Sequence, residues 1–229
     1  MNFDISKYHF RSNTLLQAIK SDYMQELENI KRIEILKKGE VLYQEGSMPK
    51  AVYCVKKGKV KIEQCNEEGN LRIVYVYTVG EFFGFRPLLC NEAHPVTAVI
   101  LEESEVEVYE GRAFLDIARR SPNLSFNLVE ILSFEFNVWI NLISSLSHKS
   151  AKERIALILL ILHEKYAIEN KKTIEITMSK ADIASYSETS EETVVRVIGF
   201  FEEQEILKNY GRKFTIINKK LLEIIAEGF

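Results

Sequence analysis

The sequence predicts an α+β protein, in which a β-rich half is followed by a long helix and a small C-terminal unit of short helices and a hairpin. Two patterns support this prediction. From about residue 35 to residue 109, short runs rich in Val, Ile, Tyr and Phe are separated by glycines and not by long helices. Such spacing is typical of an antiparallel barrel or sandwich. After Gly111, apolar residues recur at helical spacing instead.

The composition is that of a soluble globular protein. The 229 residues are 46% hydrophobic and 28% charged, with a net charge of −3 that gives no hint of a nucleic-acid partner. The longest apolar run, Ile155–Leu162, is too short to cross a bilayer, and Met1–Lys20 lacks the apolar core of a signal peptide. We therefore expect a cytoplasmic protein with no membrane partner.

The cysteines and the short motifs indicate neither a metal site nor an enzyme. Cys54, Cys65 and Cys90 are odd in number and contain no CxxC pair, which argues against a disulfide framework and against zinc. Cys90 is either an ordinary loop cysteine or a thiol switch. The chain has no G-x-S-x-G, P-loop, HExxH or dinucleotide fingerprint. No cofactor is predicted, and the effector stays unknown.

The β-rich half contains two predicted turns as well as its strands. The segments "KKG" (Lys56–Gly58) and "NEEGN" (Asn66–Asn70) are predicted hairpin turns, where glycine adopts positive φ. The strand runs are "EVLYQEG", "AVYCVKKGKVKIEQC", "LRIVYVYTVGEFFGF", "VTAVIL" and "SEVEVYE".

A long helix is predicted from Ser121, as N-cap, and Pro122, at the first helical position. One apolar seam recurs every three or four residues and is predicted to be the dimer interface: Val129, Leu132, Phe136, Trp139, Ile143 and Leu146. A second apolar face is expected to pack on the helix's own domain: Leu124, Leu128, Ile131, Val138 and Leu142. The alternative is a helix buried within a monomer. The segment Ser147–Ser150 is a predicted hinge.

The C-terminal unit is predicted to be a winged helix-turn-helix. A short helix, the polar turn Ser187–Ser190 and a longer helix precede the hairpin "KNYGRKF". Thr189 and Glu192 have the spacing of a capping box. The longer helix directs one set inward, Val194, Val197, Ile198 and Phe201. The opposite set faces solvent or a ligand: Glu191, Glu192, Val195, Arg196 and Gly199.

With these parts in this order, the chain resembles the cyclic-AMP receptor protein / fumarate-nitrate regulator (Crp/Fnr) superfamily of bacterial transcription factors. The matching segments are "KKGEVLYQEG", "VYCVKKGKVKI", "VGEFFGF", "AKERIALILL" and "MSKADIASYSETSEETVVRVIGFFEEQEIL". The resemblance implies a cyclic-nucleotide-binding-type, jelly-roll-like β-roll over residues 1–120 with an N-terminal helix. A dimerisation helix over 121–147 and a winged helix-turn-helix over 148–229 follow.

The resemblance also implies base contacts for Glu192 and Arg196, the E-x-x-x-R pair of the second helix. A carboxylate accepts from cytosine N4, and a guanidinium donates to guanine O6 and N7. Further candidates for DNA contact are Ser190, Glu191, Thr193, Val195, Lys180, Arg212 and Lys213. Glu191 replaces an arginine of the cyclic-AMP receptor type, and Val195 replaces a serine of the fumarate-nitrate type. The expected operator is a palindrome with a central GA-type step in each half-site.

The candidate sensor pocket lacks the cyclic-nucleotide residues of the family. Its predicted residues are Phe83, Gly84, Phe85, Arg86, His94, Val96 and Thr97. Phe85 stands where the ribose-binding glutamate belongs, and His94 and Pro95 replace the phosphate-binding arginine and serine, so cyclic AMP is not the expected signal. Arg86 is an alternative anion contact.

The other cofactors of the family each require particular protein ligands. An iron–sulfur cluster held by N-terminal cysteines is not expected, because no cysteine precedes Cys54. Haem remains an alternative that needs one of the scattered histidines His9, His94, His148 and His163.

The predicted partners are double-stranded DNA, a second copy of the chain and RNA polymerase. A signal in the β-roll would act along the long helix and the hinge to reposition the DNA-reading helices. Residues 149–229 contain 13 Lys plus Arg and 13 Asp plus Glu, and this neutral balance predicts modest DNA affinity. The rival hypothesis is a regulatory module that uses the same β-roll for protein contact alone.

Overall fold

The computed structural model describes residues 3–66, 69–167 and 174–228. Its contacts divide the chain into two units. The first consists of Phe10–Asn70 and Val74–Asn137, and the second of Met1–His9, Leu71–Ile73 and Val138–Phe229.

The N-terminal half contains the β-roll that was predicted. Its strands in chain order are β1 (Lys31–Leu36), β2 (Val41–Tyr43), β3 (Ala51–Lys57), β4 (Val60–Cys65), β5 (Leu71–Tyr77), β6 (Phe82–Phe83), β7 (Thr97–Ile100) and β8 (Ser104–Glu110). Sheet 1 has the order β1-β8-β3-β6, and sheet 2 has the order β2-β7-β4-β5. The two sheets enclose a core that includes Val60, Ala98, Val106 and Val108, each fully buried.

One predicted hairpin is wrong. The turn Lys56–Gly58 joins β3 to β4, and these strands belong to different sheets, so the turn carries the chain across the core. Gly58 does adopt the expected positive φ of 84°. A Cβ there would lie 2.6 Å from the carbonyl oxygen of Glu103, which is a second reason for glycine. The turn Asn66–Asn70 joins neighbouring strands of sheet 2, although Glu67 and Glu68 lie outside the described residues.

The described residues up to His148 also contain four α-helices: α1 (Ser21–Asn29), α2 (Phe85–Cys90), α3 (Gly111–Arg120) and α4 (Pro122–His148). The predicted start of α4 is confirmed, because the hydroxyl of Ser121 accepts from the Leu124 N–H at 3.3 Å. The second apolar face of α4 is buried at every predicted position: Leu124, Leu128, Ile131, Val138 and Leu142.

The C-terminal elements are α5 (Ala151–Ala167), β9 (Ile176–Thr177), α6 (Lys180–Tyr186), α7 (Glu191–Glu203), β10 (Leu207–Tyr210), β11 (Lys213–Ile216) and α8 (Lys219–Glu227). The three strands form one sheet with the order β10-β11-β9. Between α4 and α5, Ser150 and Glu153 cap each other: the Ser150 N–H donates to Glu153 at 3.0 Å, and the Glu153 N–H donates to Ser150 at 3.4 Å. This reciprocal cap starts α5 as a separate helix.

Candidate functional site

The helix-turn-helix is built from α6 and α7, and a serine starts each helix. Ser179 accepts from the Asp182 N–H at 3.0 Å, and Ser190 accepts from the Thr193 N–H at 3.2 Å. The predicted capping box at Thr189 is therefore wrong by one residue. Thr189 still belongs to the turn, where its N–H donates to the Ala184 carbonyl at 3.0 Å.

The two faces of α7 divide as the sequence predicts. Val194, Val197, Ile198 and Phe201 are buried, and they hold α7 against the rest of its unit. On the opposite side Glu191, Glu192, Val195 and Arg196 are exposed, whereas Gly199 is half-buried. Val195 is 50% exposed and lies on this same face of α7.

Glu192 and Arg196 lie one turn apart on the exposed face of α7. Within the described part of the chain, neither side chain has a hydrogen bond or an ion pair. Ser190 differs, because its hydroxyl is already bonded to the backbone and to the hydroxyl of Thr193 at 2.9 Å. Lys180, at the first position of α6, is half-buried. The glutamate and the arginine are thus both free to meet a ligand.

The wing is the hairpin of β10 and β11. Tyr210 pairs with Lys213, so Gly211 and Arg212 form a two-residue loop, with φ of 67° at Gly211. Arg212 is exposed at the tip. Lys213 is exposed too, but its Nζ lies 2.7 Å from the Glu175 carboxylate. Both side chains are more than two-fifths exposed, so this pair is weak and exchangeable.

A residue that sequence reasoning missed holds the turn in place. The Arg154 guanidinium, on α5, donates to the Ser187 carbonyl at 2.8 Å and to the Glu188 carbonyl at 2.9 Å. It also donates to the Lys149 carbonyl at 2.9 Å. These carbonyls follow the ends of α6 and α4, where helices leave acceptors unsatisfied. Arg154 is therefore a positioning residue, and only its place in "AKERIALILL" marked it in the sequence.

The predicted sensor pocket is filled by the chain's own side chains. Phe83 and Phe85 are each 1% exposed, and Phe83 packs against Tyr53 and Tyr77 with ring centroids 5.4 Å and 4.7 Å away. Gly84 separates them at φ of 82°, and a Cβ there would lie 2.7 Å from the Tyr53 ring. Close packing, not a cavity, occupies this position.

Arg86 is bound within the β-roll unit by Glu135 of α4. Its Nε donates to Glu135 Oε2 at 2.6 Å, and its Nη2 lies 2.5 Å from the same oxygen. The Glu135 side chain is 2% exposed, and its Oε1 is buried without a hydrogen-bond partner. Burial raises the pKa of the Glu135 carboxyl above its usual range, although the Arg86 charge acts in the opposite direction. Arg86 is consequently committed to an internal partner.

The remaining pocket residues are structural in their contacts. His94 is 2% exposed and stacks on Tyr43 with ring centroids 3.8 Å apart, and burial lowers its pKa to about 4. The hydroxyl of Thr97 accepts from the Glu45 N–H at 3.0 Å, and Val96 is half-buried. Within the described residues, no group of three His, Cys, Asp or Glu side chains is arranged to hold a metal ion.

The predicted dimer seam on α4 is partly open. Val129, Phe136 and Ile143 are 60%, 67% and 57% exposed. Leu132 and Trp139 are half-buried, and Leu146 is buried within the chain. By length and hydropathy alone α4 could cross a bilayer. Its buried face and the Glu135–Arg86 ion pair are instead those of a helix in a folded domain.

Comparison with known proteins gives two family matches and many relatives. Residues 33–121 match the cyclic nucleotide-binding domain, and residues 153–225 match the Crp-like helix-turn-helix domain. The chain is 30% identical over 206 residues to the fumarate and nitrate reduction regulatory protein of Yersinia pestis, which spans 89% of this chain and 82% of the relative. The corresponding protein of Klebsiella oxytoca is 29% identical over the same coverage.

Solved structures share the fold at lower identity. FixK2 from Bradyrhizobium japonicum superposes with a TM-score of 0.77 at 23% identity, covering 86% of this chain and 97% of that one. TTHA1359, a transcriptional regulator of the CRP/FNR family from Thermus thermophilus, gives a TM-score of 0.72 at 24% identity, with coverages of 86% and 99%.

Proposed function

We propose that the chain binds a palindromic operator as a cytoplasmic homodimer. The ground for this proposal is that the chain belongs to the Crp/Fnr superfamily of DNA-binding transcription regulators. One observation carries the proposal: Glu192 and Arg196 stand exposed, one turn apart, without a side-chain partner in the described part of the chain. Because both side chains are hydrated and make no ion pair with the described residues, they can meet a ligand without breaking an existing contact.

The chemistry of the two groups fits one G·C pair in each half-site. The Arg196 guanidinium donates to guanine O6 and N7, and the Glu192 carboxylate accepts from cytosine N4. Each such contact contributes about 1–3 kcal/mol of discrimination. The exposed Val195 lies beside Arg196 and suits the methyl group of a thymine.

The sequence-neutral part of the affinity would come from Lys180, Arg212, Lys213 and the N-terminal turn of α7, where Ser190 and Thr193 lie. Glu191 opposes this attraction, since it places a second carboxylate on the approach surface. The neutral balance of residues 149–229 supports a modest, salt-sensitive affinity.

Dimerisation through α4 is supported by its exposed apolar stripe. Val129, Phe136 and Ile143 repeat at a spacing of seven, and Ile140 is also half exposed, at 50%. A stripe of this kind is typical of a helix that packs along a symmetry-related copy. We further propose that the regulator acts on RNA polymerase at promoters and is not gated by cyclic AMP, because Phe85, His94 and Pro95 offer none of the required contacts.

Selection of bound duplexes from a random DNA pool tests the proposal. We expect the wild-type protein to recover a palindrome with a GA-type step in each half-site. Arg196→Ala should lose the preference for guanine while the oligomeric state is unchanged, and Lys220→Ala, at an exposed lysine of α8, should recover the wild-type motif. Recovery of the same motif by Arg196→Ala would refute the assignment. If the wild type recovers no motif, repeating the selection with cell extract separates a missing effector from a module that acts by protein contact.

A further inference from the structure

A groove of about 820 Å³ opens on the β-roll unit beside the filled pocket. Arg32 of β1 and Tyr53 of β3 line one side, and each pairs with the buried Val108 of β8, which lies between them in sheet 1. Leu88 of α2 and Leu115 of α3 line another side. The volume lies within the range of about 300–1,000 Å³ that is common for small-molecule sites.

The groove has an apolar wall. Leu42 and Met48 line it, and the Met48 side chain is 53% exposed. A second opening of about 320 Å³ shares Leu42, Met48 and Tyr53 with the first, and it extends to the stacked pair of Tyr43 and His94. The apolar and aromatic surface is thus continuous across both openings.

The charges of the groove leave two cations without a partner. Arg32 is paired with Glu34 at 2.8 Å, and the Glu110 carboxylate accepts from the Arg112 and Ala113 N–H groups at 3.1 Å and 2.7 Å. Both carboxylates are therefore engaged. Among the described residues, no hydrogen bond or ion pair involves the Lys50 ammonium or the Arg112 guanidinium.

Lys50 and Arg112 are also neighbours in space. The Gly111 N–H donates to the Lys50 carbonyl at 2.9 Å, so the two cationic side chains start from adjacent backbone positions. Gly111 allows this approach, because a Cβ there would lie 2.8 Å from the same carbonyl oxygen. Two unpaired cations beside an apolar wall match an amphiphilic anion.

We propose that this groove binds a small amphiphilic anion, with its ring or short acyl body on Leu42, Met48 and Tyr53 and its acidic group between Lys50 and Arg112. The family's nucleotide position is filled by Phe83 and Phe85, so the ligand enters a different part of the β-roll. Binding is independent of the DNA interaction and is measured without DNA.

The test uses two fluorescent probes of similar size on the full chain. The probe 8-anilinonaphthalene-1-sulfonate carries an anionic group, and N-phenyl-1-naphthylamine lacks it. In the double variant Lys50→Gln/Arg112→Gln, we expect the dissociation constant of the sulfonate to rise about ten-fold, because each exposed charge contributes up to about five-fold. The neutral probe should change by less than about two-fold.

The matched control is Lys38→Gln/Lys56→Gln, which removes two exposed lysines outside the groove and should leave both probes unaffected. Met48→Glu adds a carboxylate at an exposed position of the wall and should weaken the sulfonate by a similar factor. Circular dichroism confirms that each variant is folded. Equal sulfonate affinities for the double variant and the control would overturn the proposal, as would the absence of sulfonate binding.

Discussion

Removing Arg86 should destabilise the protein far more than removing the charge of its partner Glu135. The two side chains differ in their access to water, since the Arg86 side chain is 36% exposed and the Glu135 side chain is 2% exposed. Without Glu135, the guanidinium can turn to solvent. Without Arg86, the carboxylate stays buried with neither oxygen bonded to a cation, which is the costly way to break a buried pair.

The expected loss of stability is set by the least costly response of the buried carboxylate, which is protonation of Glu135. From an ordinary pKa near 4.3, holding the carboxyl neutral at pH 7 costs about 3.7 kcal/mol, and at pH 5 it costs about 1 kcal/mol. Arg86→Met should therefore lower the free energy of unfolding by about 3–4 kcal/mol at pH 7 and by about 1 kcal/mol at pH 5. Glu135→Gln keeps the shape of the side chain and should cost about 1 kcal/mol or less at either pH.

The direction of the pH effect can be checked independently. In the variant Arg86→Met the folded-state pKa of Glu135 lies further above its unfolded value, so the penalty is complete above the folded pKa and is relieved as the pH falls through it. Urea denaturation followed by circular dichroism at pH 5 and pH 7, against the wild type at each pH, measures both variants. Equal costs for the two variants at pH 7, or a cost of Arg86→Met that does not change with pH, would refute the reasoning.

Three further changes have defined outcomes. Gly58→Ala should lower the free energy of unfolding by about 2–4 kcal/mol, because the new Cβ would be crowded as well as strained. Gly39 has a similar φ of 88° but open space around it, so Gly39→Ala should lower it by only about 1–2 kcal/mol. Equal losses in urea denaturation would contradict the role of crowding. His94→Phe should keep the stacking on Tyr43 and remove a group whose folded-state pKa of about 4 lies below its unfolded value. The variant should therefore lose about 1–2 kcal/mol less stability than the wild type as the pH falls from 7 to 5. An equal loss in the two proteins would contradict this argument. Phe136→Glu should convert the proposed dimer to monomers in sedimentation velocity while Phe136→Leu stays dimeric, and a dimeric glutamate variant would exclude this stripe as the interface.

The order of the elements could be predicted from the sequence because hydrophobic periodicity and the residues of turns and caps are local signals. The buried face of α4 from Leu124 to Leu142 followed from helical spacing, and Ser121 marked the start of that helix. The crossing at Lys56–Gly58 did not follow, since a turn glycine looks the same whether its strands pair with each other or leave for different sheets. Strand β1 was largely missed, because it begins before the predicted β-rich region, and its Ile33 and Ile35 are exposed in the structure.

The candidate DNA contacts on α7 could also be predicted from a local pattern. The long-range contacts that hold the surrounding structure in place could not. Glu192 and Arg196 share one face of α7 by spacing alone. Two of the carbonyls that Arg154 contacts, those of Ser187 and Glu188, are near it only in the folded chain, because they lie more than 30 residues away in sequence. The pair Arg86–Glu135 is likewise a long-range contact, and no local pattern distinguishes it from two solvated charges.

The central claim is that Arg196 reads a guanine, and replacement of single atoms of that base tests it most directly. On the selected operator, one guanine of each half-site is replaced by 7-deazaguanine, which removes the N7 acceptor and leaves base pairing intact. We expect the wild-type protein to lose at least about ten-fold in affinity, and Arg196→Ala to bind both duplexes equally. Equal binding of both duplexes by the wild-type protein, or an equal loss in Arg196→Ala, would contradict the account.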